Sequence, residues 1–413
     1  DFRKIHEALR KALSDKDHPY AIICETVIGK GVSFMEGDRE YHGRTLNAEE
    51  CAKALAELGV ENDLDALRAL RRNKRSKTYD YYAAPLPEVI TGSPIMYERE
   101  THPREVFGSV LKDVAKHNPH AALAVFDCDL VESVKTAGFA EILPGSFFQA
   151  GVSEHSTATI AGALSINGVL AVWADFGVFA IDEVYNQLRL NDINHTNLKV
   201  IATHIGYNVG PDGKTHHCID YLGLLKNLFG FRLIMPGDPN QTDHVVRHVL
   251  AQKGNFVIGI SRSKMPVITK DDGNVLFGRD YRFVYGKWDL VRSGADCAIL
   301  TYGPMLSMAL EAHETLKAEG ITSSIYNVPC PLDIDDAALR EAAQTRLLVT
   351  YEDHNVATGL GSVVAQKIAA NRIAARFMPM GITHYGPSDE AKALYRKSGL
   401  DAGALTETIQ RNL

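Results

Sequence analysis

Between residues 98 and 275, apolar runs of strand length alternate with stretches of helical periodicity. The strand-like runs are "AALAVFD" (121–127), "GVLAVWADF" (168–176), "LKVIATHI" (198–205), "FRLIMP" and "FVIGIS". Helical spacing marks residues 103–117 and 156–166 between them. The runs are apolar almost throughout, and a strand apolar on both faces must be covered on both faces. Parallel sheets with crossover helices meet that demand. Residues 276–413 repeat the pattern, with runs at 297–303, 323–329 and 346–353 and helical stretches at 305–319 and 361–371. The expected fold class is α/β: two doubly wound, mainly parallel-sheet domains, plus a residual α/β segment at the N-terminus.

That residual segment spans residues 1–76. "DFRKIHEALRKALS" has helical spacing, "YAIICETVIG" (20–29) reads as a buried strand entering a glycine-rich turn, and helices are expected over 48–58 and 63–72. These amount to the closing strand and helices of an α/β domain, too little to bury a core. The chain begins at Asp1 inside a helical pattern, which suggests an N-terminal truncation. Residues 77–97 carry three prolines and no periodicity and read as a linker.

Composition narrows the function. A net charge of −7 argues against a nucleic-acid partner, and the basic run "RRNKRSK" (71–77) reads as a solvated helix end. No run approaches the roughly 18 apolar residues of a membrane span. Six scattered cysteines without a CxxC pair suggest reduced, cytoplasmic thiols and no metal site.

In doubly wound sheets, ligands sit beyond the carboxyl ends of the strands. Four polar segments fall there: "DCDLVES", "DFGVF", "THIGYNVGPDGKTHH" and "SRSKMP". A fifth stretch, "QAGVSEHSTATIAGALSINGV" (149–169), holds a single acid, Glu154, with Val152 and Ile160 as apolar sequence neighbours. Taken singly, Glu154 could be an acid favoured by a helix N-terminus. Phe176 and Phe179 could be core residues, the histidines structural, and Asp212 a turn residue before Gly213.

Their order along one chain resembles the transketolase family of thiamine-diphosphate enzymes. The matching elements are "GVSEH" with Glu154, "DFGVF" with Phe176 and Phe179, "NQLR", "THIGYNVGPDGKTHH" with His204, Asp212 and His216, and "SRS" with Arg262. "VTYEDHNVATGLGS" (349–362) is similar to a C-terminal-domain element. "TVIGKGVSFMEGDREYHG" is similar to the end of the diphosphate-binding domain. The resemblance implies a diphosphate-domain remnant over 1–76, a pyrimidine-binding domain over 98–275 and a C-terminal domain over 276–413. The family's "GDG…N" segment, which holds Mg2+ and the diphosphate, has no counterpart here, so metal ligands are expected in a missing N-terminal part.

The resemblance also implies roles. Glu154 shares a proton with the cofactor's aminopyrimidine, a task suited to a carboxyl group in low-polarity surroundings. Phe176 stacks on the pyrimidine, Phe179 lines its pocket, and Asp129 of "DCDL" lies near the cofactor. Position 182, often aromatic in the family, is Asp182 here. His42, His204 and His216 contact sugar hydroxyls and the reacting centre. Arg104, Arg262, Ser133 and His216 bind phosphate, and Asp212 contacts substrate hydroxyls. Lys214 and Pro211 make this stretch more positive than is usual in the family.

The implied activity is two-carbon ketol transfer from a ketose phosphate to an aldose phosphate, as in the pentose phosphate pathway. It would use thiamine diphosphate and Mg2+ in a homodimer. The C-terminal domain carries no recognisable catalytic motif and is expected to stabilise that dimer. Rivals are 1-deoxyxylulose-5-phosphate synthase, a 2-oxoacid dehydrogenase β subunit, and a fragment inactive without its diphosphate-binding domain.

Overall fold

The computed structural model describes residues 1–73 and 86–413, which fall into two compact units divided between residues 79 and 80. The first unit contains helices Phe2–Ser14, Ala48–Leu58 and Leu64–Asn73. Asn47 and Glu50 close a reciprocal capping box on the middle one, and Gly59, at φ 68°, ends it. Only Val32 and Ala54 are buried apolar residues among those described in this unit, in keeping with the expected lack of a core.

The buried strand expected over 20–29 does not form. Those residues carry no ladder, and Tyr20, Ile22, Ile23, Val27 and Ile28 are all exposed. A strand exists only through hydrogen bonds to a neighbouring strand, and the unit has no other among its described residues.

Part of the expected linker, residues 77–85, lies outside the described residues. Residues 86–97 have neither helix nor strand but are tied to the second unit. Ile90 N–H donates to Asn118 Oδ1 at 2.8 Å, and Tyr97 N–H to Asn240 Oδ1 at 2.7 Å. Buried Arg247 adds a bond to the Thr91 carbonyl and an ion pair with Asp113.

The second unit holds two sheets. The first comprises β1 (Leu123–Asp127), β2 (Phe147–Gln149), β3 (Leu170–Phe176), β4 (Lys199–Thr203), β5 (Phe231–Ile234) and β6 (Asn255–Gly259). All its pairings are parallel, in the order β2-β1-β3-β4-β6-β5. The second comprises β7 (Asp289–Arg292), β8 (Cys297–Thr301), β9 (Ser323–Asn327), β10 (Leu347–Asn355) and β11 (Phe377–Ile382), ordered β11-β10-β8-β9-β7. Only β7 runs antiparallel to its neighbour. Every residue of β1, β3, β4, β6, β8 and β9 is buried, as expected of helix-covered parallel strands. The fold is α/β.

One apolar cluster spans both sheets, joining Trp173, Leu198 and Leu233 to Ala298, Leu300, Tyr326 and Leu348. No helix among the described residues is long and apolar enough to cross a membrane. All six cysteines are free.

Candidate active site

Because β1, β3, β4 and β6 are successive neighbours, their carboxyl ends share one sheet edge. The residues that follow or close them are Asp129, Phe176, His204 and Arg262. The topology therefore gathers four candidate residues that lie far apart in sequence.

Glu154 opens the helix Glu154–Ser165, after a turn at Gly151 with φ 67°. Small residues let this helix pack closely. A Cβ on Gly162 would lie 1.7 Å from Asn191 Oδ1, on the adjoining helix Tyr185–Ile193. Glu154 is buried at 7% exposure, but not by its sequence neighbours: Val152 is 80% exposed and Ile160 52%. The expectation that these two create its apolar surroundings is corrected: Val152 projects from the turn before the helix, and Ile160 lies on the helix's exposed face.

The neighbours of Glu154 are Cys128 and Asp175. Their sulfur and one carboxylate oxygen of each acid all lie within 4.8 Å of one another. Asp175 accepts the Phe176 N–H at 2.8 Å and the Trp173 indole N–H at 3.2 Å. Burial, with the adjacent Glu154 carboxyl, carries the Asp175 carboxyl up to about 7. Burial also pushes the Cys128 thiol up to about 12. A thiol and two carboxyl groups at this spacing can share a proton or hold a cation. Among the described residues, no hydrogen bond reaches the Glu154 carboxylate.

Phe176 and Phe179 stack at a 6.1 Å centroid separation and 14°. His204 lies against Phe176 at 3.8 Å, and His216 meets Phe179 edge-on at 5.4 Å. Residues Val178–Glu183 form a turn of π-helix, a widened geometry frequent at functional sites. Asp182 lies within it, raised to about 7 by burial and bonded by the Cys218 thiol. His204 has φ 56°, uncommon for a residue with a side chain, and shares a 2.8 Å hydrogen bond with Thr203 Oγ1. Burial, then the positive charges of Arg104 and Arg262, bring it down to about 3, so its imidazole is neutral.

Beside this cluster lies a cavity of about 200 Å3 whose lining includes His102, Arg104, Asn208, Arg262, Ser263 and Glu390. Arg104 donates to the Ser133 carbonyl at 3.2 Å, while its buried Nε–H has no partner. Burial and the proximity of Arg262 lower the Arg104 pKa. Arg262 donates to the Val209 carbonyl at 2.6 Å and pairs with exposed Asp212 at 3.2 Å. Ser133 thus contributes its carbonyl, not its hydroxyl, to the arginine. Asp129, exposed with φ 64°, accepts from Gln149 Nε2 at 3.1 Å. His42 closes the short 3-10 helix Arg39–His42 in the first unit and is exposed.

Phe176, Phe179, His204 and His216 therefore form one ring cluster, with Glu154 beside Asp175, the residue before Phe176. Arg104 and Arg262 line the adjacent cavity, with Ser133 bonded to Arg104 and Asp212 paired with Arg262. Sequence reasoning overlooked Asp175 and Cys128. The signal for Asp175 was a charged residue inside an otherwise apolar buried strand. It also passed over His217, buried against Tyr207 at 4.9 Å with both ring nitrogens lacking a partner.

These observations fit the pyrimidine half of thiamine diphosphate. A buried carboxyl with unfilled hydrogen-bonding capacity stands beside Asp175, whose neighbour in sequence, Phe176, stacks on Phe179.

Comparison with known proteins agrees. Residues 1–70 match the transketolase thiamine diphosphate binding domain, 100–267 the transketolase pyrimidine binding domain, and 286–405 the transketolase C-terminal domain. A putative transketolase C-terminal section from Methanocaldococcus jannaschii is 29% identical over 312 residues, covering 75% of this chain and 96% of that protein. A solved split-gene transketolase, an inactive beta4 tetramer, is 30% identical with a TM-score of 0.67, covering 76% of this chain and 98% of its own. Transketolase from Campylobacter jejuni shares the fold at 20% identity and a TM-score of 0.73, and this chain spans 66% of its length.

Fold and site together define an α/β enzyme of the thiamine-diphosphate class. The chain belongs to the transketolase family.

Proposed function

We propose that this chain contributes the pyrimidine-binding side of a thiamine-diphosphate site that transfers a two-carbon ketol unit from a ketose phosphate to an aldose phosphate. The observation that carries the reading is Glu154: buried, without a hydrogen bond to its carboxylate among the described residues, and beside Asp175, which precedes Phe176 of the ring cluster. In this reading residues 98–275 and 276–413 are the pyrimidine-binding and C-terminal domains, and 1–76 belong to the diphosphate-binding domain.

When bound, thiamine diphosphate supplies the electron sink for breaking a carbon–carbon bond beside a ketone. The chain's own residues do the rest. Glu154 holds a proton toward the aminopyrimidine, with Asp175 as a second carboxyl beside it. Phe176 offers a stacking face, Phe179 a wall, and Asp129 a polar group at the edge. Neutral His204, with His216, hydrogen-bonds substrate hydroxyls. Arg104 and Arg262 provide charge-assisted contacts to the sugar phosphate, assisted by Ser133 and His216, with Asp212 at the hydroxyls.

Mg2+ accompanies the diphosphate in this reading, and none of its ligands is assigned to this chain. A homodimer or a partner subunit completes the site. That a split-gene relative is inactive as a beta4 tetramer is in keeping with a need for a second kind of chain.

The test is titration with thiamine diphosphate, first alone and then with a chain carrying that domain, followed by donor assays. Cofactor binding restored by the added domain, with turnover of a ketose phosphate but not of pyruvate, is the expected result. Product from pyruvate would move the assignment to a deoxyxylulose-phosphate synthase or a 2-oxoacid dehydrogenase β subunit. In the active assembly, Glu154→Gln should abolish exchange of the cofactor C2 proton; exchange at the wild-type rate refutes the role of Glu154.

A further inference from the structure

The cavity beside the centre is not built from the first sheet alone. Glu390, which follows the second sheet in sequence, lines it together with Arg104 and Arg262. The 3-10 segment Gly206–Asp212, buried from Gly206 to Gly210, supplies part of the cavity wall through Asn208, Val209, Gly210 and Pro211. Its backbone is held from both sides: the Gly206 N–H donates to the Cys218 carbonyl at 2.9 Å, and other bonds come from the second sheet and the chain after it.

Asp353, in β10, is buried at 2% exposure. One of its oxygens accepts the Tyr207 N–H at 2.9 Å, and the other accepts the Tyr395 hydroxyl at 2.7 Å. The carboxylate presses on the loop itself: Gly206 has φ 72°, and a Cβ there would stand 2.0 Å from Asp353 Oδ2. The Tyr207 hydroxyl reaches the His384 carbonyl, and the Ser388 hydroxyl reaches the Pro211 carbonyl.

On its other side, the same segment orders the arginine loop. Asn208 Oδ1 accepts the Ser263 N–H at 2.6 Å, and the Val209 carbonyl accepts from Arg262 Nη1 at 2.6 Å. The residues flanking Asp353 have other tasks. Glu352 receives the N–H groups of Leu360 and Gly361, opening the helix Leu360–Ala370, and His354 Nε2 receives the Leu222 N–H at 3.0 Å. A buried carboxylate is costly unless its hydrogen bonds are filled, and Asp353 fills them with the loop and with one tyrosine that holds it in place.

We propose that Asp353 and Tyr395 are positioning residues for the anion-binding side of the active site. From β10 and from the helix Ala391–Lys397 they fix the backbone of Gly206–Asp212, and through Asn208 and Val209 they fix the guanidinium of Arg262. The inference rests on reading Arg262 as a sugar-phosphate ligand. It gives residues 276–413 a direct part in substrate binding, where the sequence suggested only dimer stabilisation.

The test uses Tyr395→Phe, which removes one hydroxyl and keeps the ring, and Ser388→Ala, which frees Pro211 without touching the buried carboxylate. In the active assembly each should raise KM for a ketose phosphate about threefold to tenfold, the effect of one lost hydrogen bond. Turnover number and KM for a non-phosphorylated ketol donor should stay within about twofold. Amide hydrogen exchange of this chain should quicken over 206–213 and stay unchanged in β8 and β9. An equal rise in KM for both donors, or unchanged exchange over 206–213 in Tyr395→Phe, overturns the proposal. If the wild type turns over no ketose phosphate, the functional reading fails, and the exchange measurement alone decides the positioning claim.

Discussion

Replacing Asp175 with asparagine removes a fully buried carboxyl beside Glu154 while keeping its volume. In the native state, burial and the adjacent carboxyl carry this group from 3.8 to about 7. Its folded form therefore binds the proton more tightly than the unfolded chain does. The sign follows: native stability falls as pH climbs through that window, because ionisation is easier in the unfolded chain. At about 1.4 kcal/mol for each pH unit, ionising Asp175 costs the native state about 4 kcal/mol across that span. Asparagine carries no such penalty. It does present an amide N–H where Asp175 receives two donors, from Phe176 and Trp173, which adds a pH-independent loss of about 1–3 kcal/mol. The informative quantity is therefore a slope. Urea unfolding over a pH series should show the stability of wild type relative to Asp175→Asn falling by up to about 4 kcal/mol as pH rises from about 4 to about 7, so that a variant about 1–3 kcal/mol less stable at low pH becomes the more stable one. Parallel curves through that window would show that Asp175 ionises normally and refute the reasoning.

Three further outcomes are expected. His204, brought down to about 3 by burial, binds its proton less readily folded than unfolded, so it withdraws stability as pH falls below 6.5. Its imidazole resonance should stay flat in an NMR titration down to about pH 4, and a midpoint near 6.5 would contradict the burial argument. Arg104→Ala and Arg262→Ala should each raise KM for a ketose phosphate about tenfold to a hundredfold, the worth of a charge-assisted bond, and leave a non-phosphorylated donor unaffected. Gly162→Ala, whose Cβ would meet Asn191 Oδ1 at 1.7 Å, should lower the urea midpoint by an amount equivalent to about 1–3 kcal/mol. An unchanged midpoint would mean that the two helices separate at little cost.

The central strands were legible because burial on both faces leaves a continuous apolar run, as in β1, β3, β4 and β6. Polar residues at the ends of those runs marked the edge where Glu154, Phe176, His204 and Arg262 assemble. Several features were not legible, for physical reasons. Residues 20–29 have strand composition, but composition supplies no hydrogen-bonding partner. β2 has three residues, and β7 and β11 are edge strands with partly exposed residues, so their patterns are weak. Asp175 was passed over because an acid inside an apolar strand resembles an interruption until its neighbour across space is known. The pairing of Arg262 with Asp212, fifty positions apart, depends on the path of a 3-10 segment that no periodicity reveals.

The apolar cluster shared by the two sheets has a consequence for how the chain comes apart. Trp173, Leu198 and Leu233 lie in the same packed body as Ala298, Leu300, Tyr326 and Leu348, so neither sheet can lose its order without stripping the other of a covering layer. Residues 86–413 should therefore melt in one calorimetric transition. Proteolysis near residue 275 would yield not two soluble pieces but two aggregating ones, each displaying the half of a core that the other had kept dry.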